Sequence, residues 1–287
     1  MKKIALINDL SGFGKCSLTA AIPVISVLGV QACPLPTAIL SAQTGFPSYY
    51  CDDYTDKMNY FADEWKKMDI TFDGIYSGYL GSAEQMNNVL HFLDEFQTKD
   101  TLYLADPVMG DNGRRIRIFT DELLECMRAL TRKANVITPN LTELCLLAGA
   151  DYKELLAHSG QDDYLKRIEE MGRLLLAKAQ GKQTILVTGV LRSDDKQTYM
   201  GNLALSEQET FYHETPFTGM SFSGTGDLFA SVIAGCLVQG ISIQDAVKKA
   251  TTFLQPAIEE ASRENIERNH GVHFEKYLSL LCERHSY

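Results

Sequence analysis

The chain has no excess of positive charge: 27 Lys and Arg stand against 37 Asp and Glu in 287 residues, a formal net charge of -10. Nucleic-acid binding needs a basic stripe and attraction to anionic lipid needs a basic surface, so the balance argues against both partners. Any anionic ligand must be held by a local site. There is no C-x-x-C pair, and seven cysteines spread from Cys16 to Cys282 read as small core hydrophobes of a reducing compartment, the cytoplasm. No apolar run is long enough for a membrane span. Ile4 to Ile7 stops at Asn8-Asp9, too short for a signal h-region. The uncharged stretch between Cys16 and Cys51 is cut by Pro23, Pro34, Pro36 and Pro47, with Gly29 and Gln31, into pieces shorter than the roughly 20 residues a span requires. It reads as a buried helix followed by a buried strand. Repeats, low-complexity tracts and linkers are absent too, so a single domain over residues 1–287 is expected, and 45% hydrophobic residues can bury its core.

What is present is an alternation of two periodicities. β-rich runs at Ile4 to Ile7, Leu35 to Leu40, Gly74 to Ser77, Thr101 to Ala105, Val136 to Thr138 and Thr184 to Thr188 are separated mostly by helical patterns. That is the βαβ signature of an α/β fold: a central, mostly parallel sheet flanked by helices on both faces. One helix is well marked, with Ser82 and Gln85 as a capping box and Met86, Val89, Leu90, Leu93 and Phe96 as its apolar stripe. A late β-hairpin is expected from Tyr199 to Leu205 and Thr210 to His213, followed by helices from Gly226, Ser242 and Phe274. The segment Gln43 to Trp65 reads as a loop and helix over the site.

Ser223-Gly224-Thr225-Gly226-Asp227 opens the apolar segment Leu228 to Val238. Two glycines allow close backbone approach, and the first amides of a helix, with its dipole, favour a phosphate. An Asp beside that phosphate is a poor binding residue unless it receives a proton from an attacking hydroxyl; the plainer alternative is an Asp that only complements the helix dipole. After the first strand, Asn8-Asp9-Leu10-Ser11-Gly12-Phe13-Gly14-Lys15 tempts two assignments. A P-loop would need Gly at position 9 and Ser or Thr at 16, where Asp9 and Cys16 stand, and a dinucleotide fingerprint would need Gly in place of Ser17. The run reads instead as a turn carrying Asp9 and Ser11 to a ligand. Later strand ends carry Ser77-Gly78-Tyr79-Leu80-Gly81-Ser82, Asp106-Pro107-Val108-Met109-Gly110-Asp111, Thr138-Pro139-Asn140-Leu141-Thr142-Glu143 and Thr188-Gly189. Asp106, Asp111 and Glu143 supply oxygens of the kind Mg²⁺ takes together with phosphates and water. Individually, Asp-Pro also reads as a turn initiator and Thr-Pro-Asn as a helix cap. Ligands of open parallel sheets bind at the carboxyl ends of the strands, which favours an acidic metal-nucleotide site.

Together these motifs, in their order and over nearly the whole chain, resemble the pyridoxal (pyridoxine, pyridoxamine) kinase branch of the ribokinase-like superfamily. The resemblance implies a base, Asp227, for the 5′-hydroxymethyl group of a B6 vitamer, and an anion hole at Gly224, Thr225 and Gly226. It implies ATP as co-substrate, Mg²⁺ organised by Asp106, Asn140 and Glu143, and Asp111 near the nucleotide phosphates. Thr138 and Thr188 match positions contacting ATP phosphates or a monovalent cation such as K⁺, Phe222 one near the nucleotide base, and Thr44 and Tyr79 positions around the pyridine ring. A homodimer is implied as well. Asp9 and Gln43 depart from the branch, which carries Ser and often His there, and Asp9-Leu10-Ser11-Gly12 resembles the opening of the hydroxymethylpyrimidine kinases of thiamine synthesis. Those typically carry Cys where Asp227 stands, so Asp227 favours the B6 side. The alternatives are that thiamine-branch activity, or a vitamer carrier without catalysis. A carboxylate can serve as base because, in a loose transition state, the hydroxyl proton becomes acidic late. Among other residues, His91 reads as a partly buried packing residue, Lys15 as a phosphate contact or an exposed helix-start lysine, and Arg114, Arg115 and Arg117 as a lid or a solvated loop. Cys51 reads as a small loop residue, and His213, His270, His273 and His285 show no metal-ligand spacing.

Overall fold

Ile4, Ala5, Leu6 and Ile7 are each at most 1% exposed, and an unbroken apolar run is what a strand covered on both faces requires. They lie in β1 (Lys3–Ser11) of a computed structural model that describes residues 1–282. The chain divides into two compact units, one of residues 1–80, 88–102 and 218 onward, the other of residues 81–87 and 103–217.

The first unit begins with β1, α1 (Ser17–Val27), β2 (Gln31–Leu40), β3 (Cys51–Asp53), α2 (Thr55–Lys67) and β4 (Gly74–Ser77). β1 pairs in parallel with β4 on one side and β2 on the other, and β3 runs antiparallel along β2. The β1–β2 register slips between Asn8 and Leu10, a bulge that takes Asp9 out of the ladder and re-aims the residues around it. β1 outruns the expected Ile7 because pairing with β2 resumes beyond the bulge, Ser11 opposite Leu40. The segment Gln43 to Trp65 holds β3 besides its loop and helix; three residues with two Asp among them carry no apolar alternation by which to see a strand.

α3 (Ala83–Phe96) and β5 (Leu102–Ala105) follow. The Gln85 amide donates to Ser82 Oγ at 3.1 Å, but the Gln85 side chain accepts from Gly81, one residue before the expected partner. Met86, Val89, Leu93 and Phe96 are buried as expected; Phe92 is buried where Leu90 is only partly so, and His91 is exposed.

The second unit continues through β6 (Gly110–Asp111), β7 (Arg114–Arg115), α4 (Asp121–Lys133), β8 (Val136–Ile137), α5 (Leu141–Ala148), α6 (Tyr152–Ala157) and α7 (Tyr164–Leu176) to β9 (Thr184–Ser193), β10 (Thr198–Leu205) and β11 (Thr210–Pro216). β8 lies between β5 and β9, parallel to both, and β9, β10 and β11 are antiparallel neighbours, so the late hairpin forms around Ser206 to Glu209. The first unit closes with α8 (Thr225–Val238), α9 (Ile243–Arg263) and 3₁₀ turns at Arg268–His270 and Phe274–Leu281, the last being tighter than the expected α-helix. Nine consecutive residues of α8, Leu228 to Cys236, are buried, as an apolar helix packed between α1 and α9 must be. Among the described residues no helix is long and apolar enough to cross a membrane.

The single tryptophan, Trp65, reports on an aromatic cluster of the first unit, with ring centroids 5.3 Å from Phe72 and 6.0 Å from Phe92, which stacks on Phe96 at 4.5 Å. Phe92→Ala is expected to lower unfolding free energy in urea by about 3–5 kcal/mol. Native Trp65 fluorescence should shift to the red. A loss below about 1 kcal/mol would show that the cluster is not part of the core.

Candidate active site

In the first unit the glycine run ends a loop and begins α8. Gly224 is the N-cap with φ +85°, a left-handed conformation in which any side chain is strained. A Cβ there would also collide with the Lys15 carbonyl and come 2.8 Å from the Lys15 carbonyl carbon, so only glycine permits this approach. Gly226 is exposed and has open space where a Cβ would stand. The first-turn amides, which helix geometry leaves without intrahelical acceptors, therefore border an accessible surface.

Asp227 sits in that first turn. Its carboxylate accepts from Asn8 Nδ2 at 3.4 Å and is faced by the Ser17 amide. Burial pushes its pKa up to about 6, the nearby Asp9 carboxylate adds to the rise, and the two donors oppose it. Asn8, 2% exposed, is a hub: its Oδ1 accepts from the amides of Asp9 (3.0 Å) and Tyr79 (2.9 Å) while its Nδ2 faces Asp227. Gly78 is required beside it, since a Cβ would overlap the Asn8 side-chain amide.

The residues expected around a ring divide into two kinds. Asp9 and Ser11 are buried and turned toward each other: Asp9 Oδ2 accepts from Ser11 Oγ at 2.9 Å and Oδ1 from Ser17 Oγ at 2.6 Å. Tyr79 is partly buried, with its phenol pushed up to about 12 by burial and by Asp9, and Thr44 is exposed in a turn. Gln43 holds that turn, accepting from the Gly45 amide at 2.8 Å and donating to the Asn269 carbonyl at 3.1 Å. Asn269 in turn donates to the Gly45 carbonyl and accepts from Ser223 Oγ. Phe222 is buried, and its carbonyl accepts from Thr225 Oγ1 at 3.0 Å.

In the second unit Asn140 and Glu143 are a full capping box for α5: Asn140 Oδ1 takes the Glu143 amide (3.0 Å) and Glu143 Oε2 takes the Asn140 amide (2.9 Å). Glu143 Oε1 takes the Met109 amide at 3.0 Å. Asp106 is buried alongside and accepts from Thr138 Oγ1 at 3.1 Å. Burial, and then the Asp106 carboxylate, raise the Glu143 pKa well above the ordinary carboxylate value, against the pull of backbone amides. Thr188 bridges in parallel to Asn140, its amide donating to the Pro139 carbonyl. Asp111 is exposed at the end of β6 and accepts from the Asn112 amide and side chain, beside a turn in which Asn112 and Gly113 both have positive φ. Among the described residues no three His, Cys, Asp or Glu form a metal cage. Two buried, like-charged carboxylates nonetheless fit a divalent cation that brings most of its ligands with it, as Mg²⁺ does on nucleotide phosphates. Glu143, with amides on both oxygens, suits a role through water.

Lys15 pairs with Glu275 at 2.8 Å, and Arg115 with Asp121 at 2.5 Å. Cys51 is exposed on β3. His213 stacks on Phe211, His270 joins Phe13 and Phe46, and His273 lies 3.7 Å from Glu264; His285 lies outside the described residues. Sequence reasoning did not single out Asn8, Ser17 or Asn269. Asn8 had a signal, an amide side chain directly after the apolar run Ile4 to Ile7, whereas Ser17 and Asn269 are brought in only by folding. The β6–β7 ribbon could have been found from Asn112-Gly113, a strong short-range hairpin dipeptide.

The profile of the phosphomethylpyrimidine kinase family matches residues 16–273, and the chain belongs to that family. It is 27% identical to a pyridoxine/pyridoxal/pyridoxamine kinase of Bordetella avium over 86% of this chain and 81% of the relative. A pyridoxal kinase of Leifsonia xyli is 26% identical over 91% of this chain and 92% of its own. Among solved structures, one from Bacteroides thetaiotaomicron, named for the phosphomethylpyrimidine kinases and crystallised with pyridoxal, is 40% identical with a TM-score of 0.89, covering 98% of this chain and 95% of that one. The pyridoxal kinase of Lactobacillus plantarum is 27% identical, with a TM-score of 0.86 over 98% of this chain and 96% of that one. The architecture is thus the ribokinase-like α/β fold that the motifs implied.

Gly224→Ala is expected to cost about 1–3 kcal/mol of stability from backbone strain, plus the displacement of Lys15. Gly226→Ala, with open space at its Cβ, should stay within about 1 kcal/mol of the parent. Equal urea midpoints for the two variants would contradict the close approach at Gly224.

Proposed function

We propose that the protein transfers the terminal phosphoryl group of ATP to the 5′-hydroxymethyl group of a B6 vitamer: pyridoxal, pyridoxine or pyridoxamine. The observation that carries this reading is Asp227, a carboxylate held in the first turn of a glycine-bordered helix with a pKa raised to about 6. A base of that strength is ionised at neutral pH and still able to take a proton. The hydroxyl oxygen bonds to the phosphorus, the bond from phosphorus to the ADP oxygen breaks, and the hydroxyl proton passes to Asp227. Amides at Gly224, Thr225 and Gly226 take up negative charge on the equatorial oxygens, which is where most of the rate arises in a loose transition state.

Thr44 and Tyr79 serve the ring, with Ser11 behind them. Thr138, Asn140, Thr188, Asp111 and Phe222 serve the nucleotide. Asp106 and Glu143 would hold Mg²⁺, which neutralises phosphate charge when bound, and Thr138 and Thr188 would serve K⁺. The kinase names of the curated relatives and the pyridoxal in the Bacteroides thetaiotaomicron crystal support the substrate class. The proposal includes one kinase domain over residues 1–287, acting as a homodimer in the cytoplasm; seven free cysteines suit a reducing compartment.

Purified protein with Mg²⁺ should consume ATP when given at least one of the three vitamers. Turnover of hydroxymethylpyrimidine alone would move it to the thiamine branch, and tight vitamer binding without ATP consumption would make it a carrier. Asp227→Asn should lower kcat by about 10²–10⁴ with little change in the KM for ATP. The parent kcat should fall in acid with a limb near about 6, because the protonated carboxyl cannot accept the hydroxyl proton. A profile flat through that region would remove Asp227 from the role.

A further inference from the structure

Ser17, the first residue of α1, has φ +51°, a left-handed conformation that side chains with a Cβ disfavour. The N-cap before it, Cys16, is extended and contributes no side-chain hydrogen bond to the helix start. What meets the buried Ser17 side chain is Asp9: the Ser17 hydroxyl donates to Asp9 Oδ1 at 2.6 Å, and Ser11 Oγ occupies Oδ2. Asp9 is itself fixed, 6% exposed, out of register in the β1 bulge, with its amide on Asn8 Oδ1. The backbone twist at Ser17 bears on its own amide, which faces the Asp227 carboxylate and favours its charged form, in a turn whose Cys16 Cα lies 3.2 Å from where a Gly224 Cβ would stand. The same short turn sets the Lys15 carbonyl against Gly224.

We infer that Asp9 is a positioning residue rather than a ring contact: it holds Ser17 in the left-handed conformation that keeps the Ser17 amide on the Asp227 carboxylate. This rests on Asp227 being the base. An amide on a carboxylate fixes its rotamer, and a misplacement of about 1 Å at a reacting group can cost about 10²-fold in rate. Two similar substitutions at position 17 should therefore differ in effect. Alanine at position 17 loses the hydroxyl and keeps the Cβ that disfavours φ +51°; glycine loses the hydroxyl and reaches that φ without support.

Steady-state kinetics with the turned-over vitamer should show kcat lowered about tenfold or more in Ser17→Ala, with vitamer KM within about threefold, and most of the loss recovered in Ser17→Gly. Asp9→Asn should lower kcat comparably in the parent, yet by less than about threefold on the Ser17→Gly background, since the bond it weakens is already gone. Amide hydrogen exchange at Ser17, read by NMR, should be slow in the parent and about tenfold faster or more in Asp9→Asn and in Asp227→Ala. Equal impairment of Ser17→Ala and Ser17→Gly, or a vitamer KM raised about tenfold by Asp9→Asn in both backgrounds, would overturn the inference; the second result would make Asp9 a ring contact. The exchange measurement needs no turnover, so unchanged exchange defeats the inference alone, whereas undiminished phosphorylation by Asp227→Asn defeats the proposed function.

Discussion

The Lys15 carbonyl lies so close to Gly224 that no side chain fits between them, and the acceptor half of the proposed chemistry depends on that approach. It sets the first turn of α8 against the start of α1. The glycine is therefore needed twice, for a left-handed φ and for the absence of a Cβ. Once the two backbones meet, the Ser17 amide reaches Asp227, the bulge at Asp9 brings Asn8 alongside, and Gly78 leaves room for the Asn8 amide group.

The electrostatics of this arrangement are unfavourable by themselves. Asp9 is buried and Asp227 partly so, burial raises both carboxyls, Asp9 raises Asp227 further, and the Cys16 thiol beside them is pushed up to about 12 by burial and by both carboxylates. Ser11, Ser17 and Asn8 offset that cost with hydrogen bonds and leave Asp227 more basic than an exposed carboxylate. The second unit repeats the theme with Asp106 and Glu143, where a capping box supplies the amides. Helix-cap and functional readings of Thr138-Pro139-Asn140-Leu141-Thr142-Glu143 are thus not rivals. The cap is what holds Glu143 buried beside Asp106.

Much of this was legible in the residues. Continuous apolar runs marked β1, β4 and β5, the Ser82 and Gln85 pair marked α3 to within a residue, and the hairpin around Ser206 to Glu209 followed from alternation and a polar turn. These are local signals, carried by periods of two and 3.6 residues. What escaped was set by partners far away in the chain. β3 exists through its pairing with Ala38 to Leu40, and His91 is exposed because Phe92 takes the buried position. That Ser11 and Ser17 each donate to an oxygen of Asp9 is likewise invisible in the sequence.

The amino-acid sequence by itself determined the α/β class, the glycine-bordered helix start and the presence of Asp227 in its first turn, since each follows from neighbours within a few residues. Only the tertiary structure decided that Asp227 shares its surroundings with Asn8, Asp9 and Ser17, some 210 residues earlier, and that Glu143 lies beside Asp106. The reason is physical. A carboxylate's basicity is set by burial and by the donors and charges within a few ångströms, and those come from whichever strands and helices the fold places side by side.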